Sequence, residues 1–167
     1  EKENERLACI DHLTNLSNRR DFITKAAVEL SRAQRYNAPL TVLMIDLDHF
    51  KNVNDCFGHH VGDRVLAAFA EKLRHCVREV DLTGRLGGEE FAVLLPSTSV
   101  QEATDVMNRL RDELAQAPIA STEQPTEQWV HTVRFTSALP LGACARASPI
   151  MLSGSWLANA AAPAVRP

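Results

Sequence analysis

No CxxC pair or other metal-binding spacing joins the four cysteines, Cys9, Cys56, Cys76 and Cys144, so zinc ribbons and dithiol redox motifs are excluded. The cysteines read as reduced, mostly buried thiols of a cytosolic domain rather than as a disulfide framework. No apolar run approaches the length of a membrane span, and no signal peptide opens the chain. A basic excess is missing too: the formal net charge is −3, which gives no field for a nucleic-acid partner. Neither GxxxxGK[ST] nor GxGxxG occurs, which argues against P-loop and Rossmann nucleotide sites. Internal repeats are absent. Residues 137–167 contain no Asp, Glu or Lys. The first residue is Glu1 rather than Met, so the expectation is a piece of a longer protein.

The 167 residues are 45% hydrophobic and 23% charged, enough for one globular domain with a real core. Residues 1–10 read as the end of an upstream helical linker. Asp11 to Asn18 is rich in turn and cap residues. Asn18 or Ser17 is placed to cap a helix from about Arg19, with Ile23, Ala26, Ala27, Leu30 and Ala33 at helical spacing. Asn37-Ala38-Pro39 ends that helix near Tyr36. Leu40–Leu47 is a run of strand formers, expected as a central strand buried on both faces. A short helix over His49–Phe57 and a turn over Gly58–Asp63 follow. A long helix then carries Val61, Val65, Leu66, Phe69, Leu73, Cys76 and Val77 on one face. Gly87-Gly88 separates two β-prone runs, Asp81–Leu86 and Phe91–Leu95, as a hairpin turn. Pro96–Ser99 caps a helix striped by Val100, Ala103, Met107, Leu110 and Leu114. Trp129–Thr136 alternates like a strand, and residues 137–167 read as irregular. This order gives an α/β (α+β) sandwich, a mixed central sheet flanked by helices.

The chemistry concentrates at one end of that sheet. Asp46 closes a strand at the end where open sheets place ligands, and Glu89 and Glu90 follow the Gly-Gly turn. Two carboxylates beside softened backbone suit Mg²⁺, a hard ion that often shares its oxygen ligands with phosphates. Asp48 competes with Asp46, since strand alternation points both to the same side. The amides around Phe50 and Lys51 suit phosphate oxygens. Asn54 and Asp63 carry the donor and acceptor groups that read a guanine edge. Singly, each is more often a cap or turn residue. Arg78 and Asp81 form an RxxD, a weak motif that most often marks a surface ion pair.

Taken together, DHLTNLSNRR at 11–20, DLDHFKNVND at 46–55, GHHVGD at 58–63 and RLGGEEF at 85–91 resemble the GGDEF domain of bacterial diguanylate cyclases. That resemblance, over residues 11–136, implies a palm-like fold of the nucleotidyl-cyclase type. It also implies condensation of two GTP into cyclic di-GMP and two pyrophosphates by a homodimer of catalytic domains. Asp46, Glu89 and the Leu47 carbonyl would hold Mg²⁺ (or Mn²⁺), Glu89 would assist deprotonation of the 3′-hydroxyl, and Glu90 matches the signature's fourth residue. Phe50 and Lys51 would meet phosphates, and Asn54 and Asp63 guanine. Arg78 and Asp81 match a product-inhibition site for cyclic di-GMP, with Arg109 beside it. A cytoplasmic location follows, with an upstream sensor or membrane region. The alternative is a degenerate domain that binds GTP or cyclic di-GMP as a regulatory or dimerisation module.

Two departures stand out. The family's LTGLPNRR is LTNLSNRR here, and after VRFT the expected SIGVA strand and final helix are replaced by SALPLGACARASPIMLSGSW. A reading-frame change near Thr136 accounts for the switch in composition, and loss of the helix predicts reduced stability. Translating the source gene in its other frames is expected to recover a family-like final helix; none in any frame would reject this account.

Overall fold

In the computed structural model the described residues are 9–116 and, as backbone, 133–140. Residues 1–10 of the linker expectation are thus described only at Cys9 and Ile10, and residues 129–132 and 141–167 lie outside the described residues. The elements are β1 (Ser17–Asn18), α1 (Arg19–Tyr36), β2 (Leu40–Leu47), α2 (Phe50–Phe57), α3 (His59–Cys76), β3 (Leu82–Gly87), β4 (Glu90–Pro96), α4 (Val100–Gln116) and β5 (Val133–Pro140). The five strands lie in the order β1-β3-β4-β2-β5. Only the two-residue β1 pairs in parallel; β3–β4, β4–β2 and β2–β5 are antiparallel. The sheet is therefore mixed and the expected α/β sandwich is present. The ligand rule of parallel sheets is not what places Asp46; the β3–β4 hairpin beside it is.

Alternation along the central strands divides the interior in two. Leu43, Ile45 and Leu47 of β2, with Phe91, Val93 and Leu95 of β4, face α2, α3 and α4 in the larger core. Leu40, Val42, Ala92 and Leu94 face α1 in the smaller one. Phe69 and Phe91, both fully buried, meet in a tilted ring pair with centroids 4.8 Å apart, a favoured aromatic geometry. Asn18 caps α1 by accepting from the Asp21 N–H, and Asn37 ends it in the left-handed conformation. Ser99 and Glu102 form a capping box at α4: the Ser99 N–H donates to Glu102 Oε2 at 2.7 Å and the Glu102 N–H donates to Ser99 Oγ at 3.3 Å, satisfying two amides that the helix cannot.

Several expectations need correction. The Gly58–Asp63 turn is only Gly58; α3 starts at His59, with Gly62 buried in the helix against α2. The anchor of α1 is Phe22, not Ile23, because Phe22 packs over Gly84 and seals the smaller core. In α4 Val106 is buried and Val100, in the first turn, is exposed. β5 continues through Pro140 where residues 137–140 were read as irregular; an extra residue between Phe135 and Ser137 shifts its register on β2, so simple alternation breaks there. Cys9, Cys56 and Cys76 are free, but Cys56 is exposed and Cys9 and Cys76 are only half-buried. No helix among the described residues is long and apolar enough to cross a membrane.

A Cβ at Gly84 would lie 2.7 Å from Phe22 Cδ2, against a ring with no space to retreat. Gly84→Ala is therefore expected to destabilise the chain by about 1–3 kcal/mol, the usual range for overpacking. Urea denaturation checks this, and an unchanged midpoint would refute it.

Candidate functional site

Backbone pairing builds the site. The β2–β4 register sets Asp46 opposite Glu90, and the Leu47 N–H donates to the Glu89 carbonyl at 3.4 Å. The hairpin turns at Gly87 and Gly88, with φ of 151° and 51°, values that disfavour a side chain. Strand β2 ends at Leu47, so alternation does not extend to Asp48. Burial first, and then the charges of Asp46 and Glu90, raise the Glu89 carboxyl above its ordinary value of 4.5. Of the two candidates, Asp46 is the one whose charge reaches Glu89.

Among the described residues, no three His, Cys, Asp or Glu side chains are grouped to hold a metal. The donor set is two carboxylates and nearby backbone. That fits Mg²⁺, which takes one or two carboxylates and completes its shell with phosphate oxygens and water.

Two neighbouring segments frame the carboxylates. Just past β2, His49 adopts φ 60° and turns the chain into α2. The Phe50 side chain is buried in the core, so only its backbone is available to a ligand; Lys51 is exposed. Asn54 on α2 is half-buried and lies against Gly62 of α3, with exposed Asp63 next in sequence. These residues therefore converge from two packed helices.

Arg78 and Asp81 are not a side-chain ion pair. The Arg78 N–H donates to Asp81 Oδ2 at 2.7 Å, and the Asp81 N–H donates to the Arg78 carbonyl at 3.0 Å. Asp81 is buried, and its Oδ1 has no hydrogen-bond partner among the described residues. Arg109 donates to the Cys76 carbonyl at 3.2 Å, at the end of α3.

One residue of the site was missed. Arg85 donates to the Gly88 carbonyl through Nε at 3.0 Å and Nη2 at 2.8 Å. Its Nη1 donates to Asp11 Oδ1 at 3.2 Å and Oδ2 at 3.3 Å. Asp11 in turn accepts from the Thr14 N–H at 3.0 Å and hydroxyl at 2.7 Å. The turn of the hairpin is thus tied to the 11–16 loop by one guanidinium. Burial alone would raise the Asp11 carboxyl, but the Thr14 hydrogen bonds and the Arg85 charge outweigh it and hold it below 3.8. Both Asp11 and Arg85 lie within the quoted motifs, which was the available signal.

Residues 8–137 match the family described as "Diguanylate cyclase, GGDEF domain". The chain belongs to the GGDEF family. It is 41% identical over 118 residues to diguanylate cyclase DgcP of Pseudomonas aeruginosa, covering 71% of this chain and 18% of that protein. The chain therefore spans less than a fifth of DgcP. Among solved structures, it resembles diguanylate cyclase SiaD of Pseudomonas aeruginosa, solved with its activator SiaC, at TM-score 0.68 and 39% identity, over 80% of this chain and 52% of that one. It also resembles the coiled coil and GGDEF domain of DgcB from Caulobacter crescentus, solved with c-di-GMP, at TM-score 0.69 and 25% identity, over 79% and 69% of the two chains.

Because the folded pKa of Asp11 is depressed, its contribution is full above pH 3.8 and is lost as pH falls through the folded value. Arg85→Ala removes charge-assisted hydrogen bonds worth about 2 kcal/mol. Denaturation at pH 7 is expected to show that loss, with a smaller difference from wild type at a pH acidic enough to protonate the folded Asp11. An equal deficit at both pH values would refute the charge-based account.

Proposed function

We propose that the chain is a diguanylate cyclase domain that binds one GTP and, facing a second copy, condenses two GTP into cyclic di-GMP and two pyrophosphates. The observation that carries this reading is the placement of Glu89 beside Asp46 at the hairpin tip, where burial and the neighbouring charges raise its proton affinity. Such a carboxylate is suited to accept the proton of an attacking 3′-hydroxyl, with Glu90 at the adjoining exposed position. Asp46, Glu89 and the Leu47 carbonyl would hold Mg²⁺ (or Mn²⁺). When bound, the ion supplies charge that steadies phosphate oxygens and lowers the pKa of a hydroxyl.

The remaining roles follow from position. The amides of Phe50 and Lys51 sit in the first turn of α2, where intrahelical acceptors are lacking, so they suit phosphate oxygens; the Lys51 charge adds to this. Asn54 and Asp63 offer the amide and carboxylate for guanine. Arg78 and Asp81 match the product-inhibition site by their RxxD spacing ahead of the hairpin, with Arg109 bonded to the end of α3 nearby. One GTP per domain calls for a homodimer that brings two catalytic domains face to face, with a cytoplasmic location as the matching setting. The change in composition after Thr136 favours a second reading, a GTP-binding or cyclic di-GMP-binding module without turnover.

Incubating the chain with Mg²⁺ and GTP is expected to yield cyclic di-GMP, read by mass spectrometry. Glu89→Gln is expected to lower the rate by at least about a hundredfold. GTP binding without product would select the module reading, and full turnover by Glu89→Gln would reject the assigned role. The raised Glu89 pKa makes the folded chain bind a proton that the unfolded chain releases, so stability falls as pH rises above 4.5 through the folded value. Glu89→Gln is expected to flatten that fall in a thermal-melt series without metal, and an unchanged slope would count against the crowding of carboxylates.

A further inference from the structure

We propose that Gly62 is a positioning residue that sets base selectivity by giving the Asn54 amide its place between α2 and α3; this rests on the guanine assignment of Asn54 and Asp63. A Cβ at Gly62 would lie 2.0 Å from Asn54 Oδ1, 3.0 Å from Asn54 Cγ and 3.1 Å from Phe50 Cζ. No real side chain fits there unless Asn54 leaves. Backbone conformation is not what requires glycine, because Gly62 is absent from the positive-φ residues and sits within a regular helix. Helix propensity by itself favours alanine at such a position. The position therefore combines a poor helix former with an amide packed on its Cα.

The two neighbours respond differently to an added methyl. Phe50 is held in the larger core and the contact with it is only slightly tight. Asn54 is half-buried and ends in a short, rotatable amide, so it moves first. Displacing the amide by an ångström or more takes its hydrogen bonds out of the distance and angle range that gives them strength. A site that recognises a base by such bonds loses discrimination when one is misplaced, because the paired polar groups go unmet. Fold stability and base selectivity are thus expected to move independently at this one residue, which a merely structural glycine would not allow.

The test uses the 167-residue chain with 3′-deoxy-GTP and 3′-deoxy-ATP, which cannot condense, and Mg²⁺. Calorimetry gives both dissociation constants for wild type, Gly62→Ala, Asn54→Ala and the double variant; thermal melts report folding. Gly62→Ala is expected to lose about tenfold in guanine preference, the size of one net hydrogen bond, with an unchanged or higher melting midpoint. In the Asn54→Ala background the same change is expected to have no further effect on preference. Retained preference in Gly62→Ala, an equal added loss in the Asn54→Ala background, or a fall in midpoint that tracks the affinity loss would each overturn the inference. A wild-type chain without guanine preference would instead overturn the guanine assignment on which it rests.

Discussion

The antiparallel pairing of β2 with β4 is the constraint from which the site follows. It runs from Leu40 opposite Pro96 to Asp46 opposite Glu90, and each residue along it is committed to one face by the two-residue period of a strand. A slip of one residue would exchange the two cores and carry Asp46 away from the hairpin tip. The buried rows of β2 and β4 therefore stabilise the domain and hold two acidic residues together against their mutual repulsion. Repulsion of that kind is tolerable at a strand end, where water and a cation have access, and would be far more costly inside the sheet.

Much of this was legible in the chain. The boundaries of α1 follow from Asn18 and Asn37, whose side chains suit a cap and a left-handed exit. The hairpin follows from Gly87 and Gly88, and the start of α4 from Ser99 with Glu102 three residues later. Local chemistry decides such features, so local sequence reports them. Where a distant partner decides, the sequence is silent. Gly62 resembles a turn glycine until Asn54 is packed against it. Phe22 outranks Ile23 only because Gly84 leaves a hollow for its ring. Arg85 and Asp11 stand 74 residues apart, and no spacing rule joins them. The extra residue that shifts β5 on β2 is equally invisible to a period-two pattern.

The site's electrostatics show the same division. Clustered carboxylates at 46, 89 and 90 could be read as chemistry, but not which of them carries the altered proton affinity. That depends on burial at the hairpin and on the end of β2 at Leu47, which removes Asp48 from the strand's alternation. The RxxD at Arg78–Asp81 is a closed turn with a buried carboxylate, in which the Arg78 backbone N–H donates to Asp81 Oδ2.

The sheet's two faces are unequal in a way that bears on mutational tolerance. Among the described residues, the face carrying α2, α3 and α4 encloses 18 buried core residues, the α1 face seven. Every helix that supplies a proposed substrate contact lies on the thicker side. Substitutions over the outer surface of α1, where Val28 and Tyr36 are already exposed, lie on the thinner side, behind Phe22 and Gly84. Surface redesign therefore has its safest ground on the outer side of α1, away from the proposed substrate contacts.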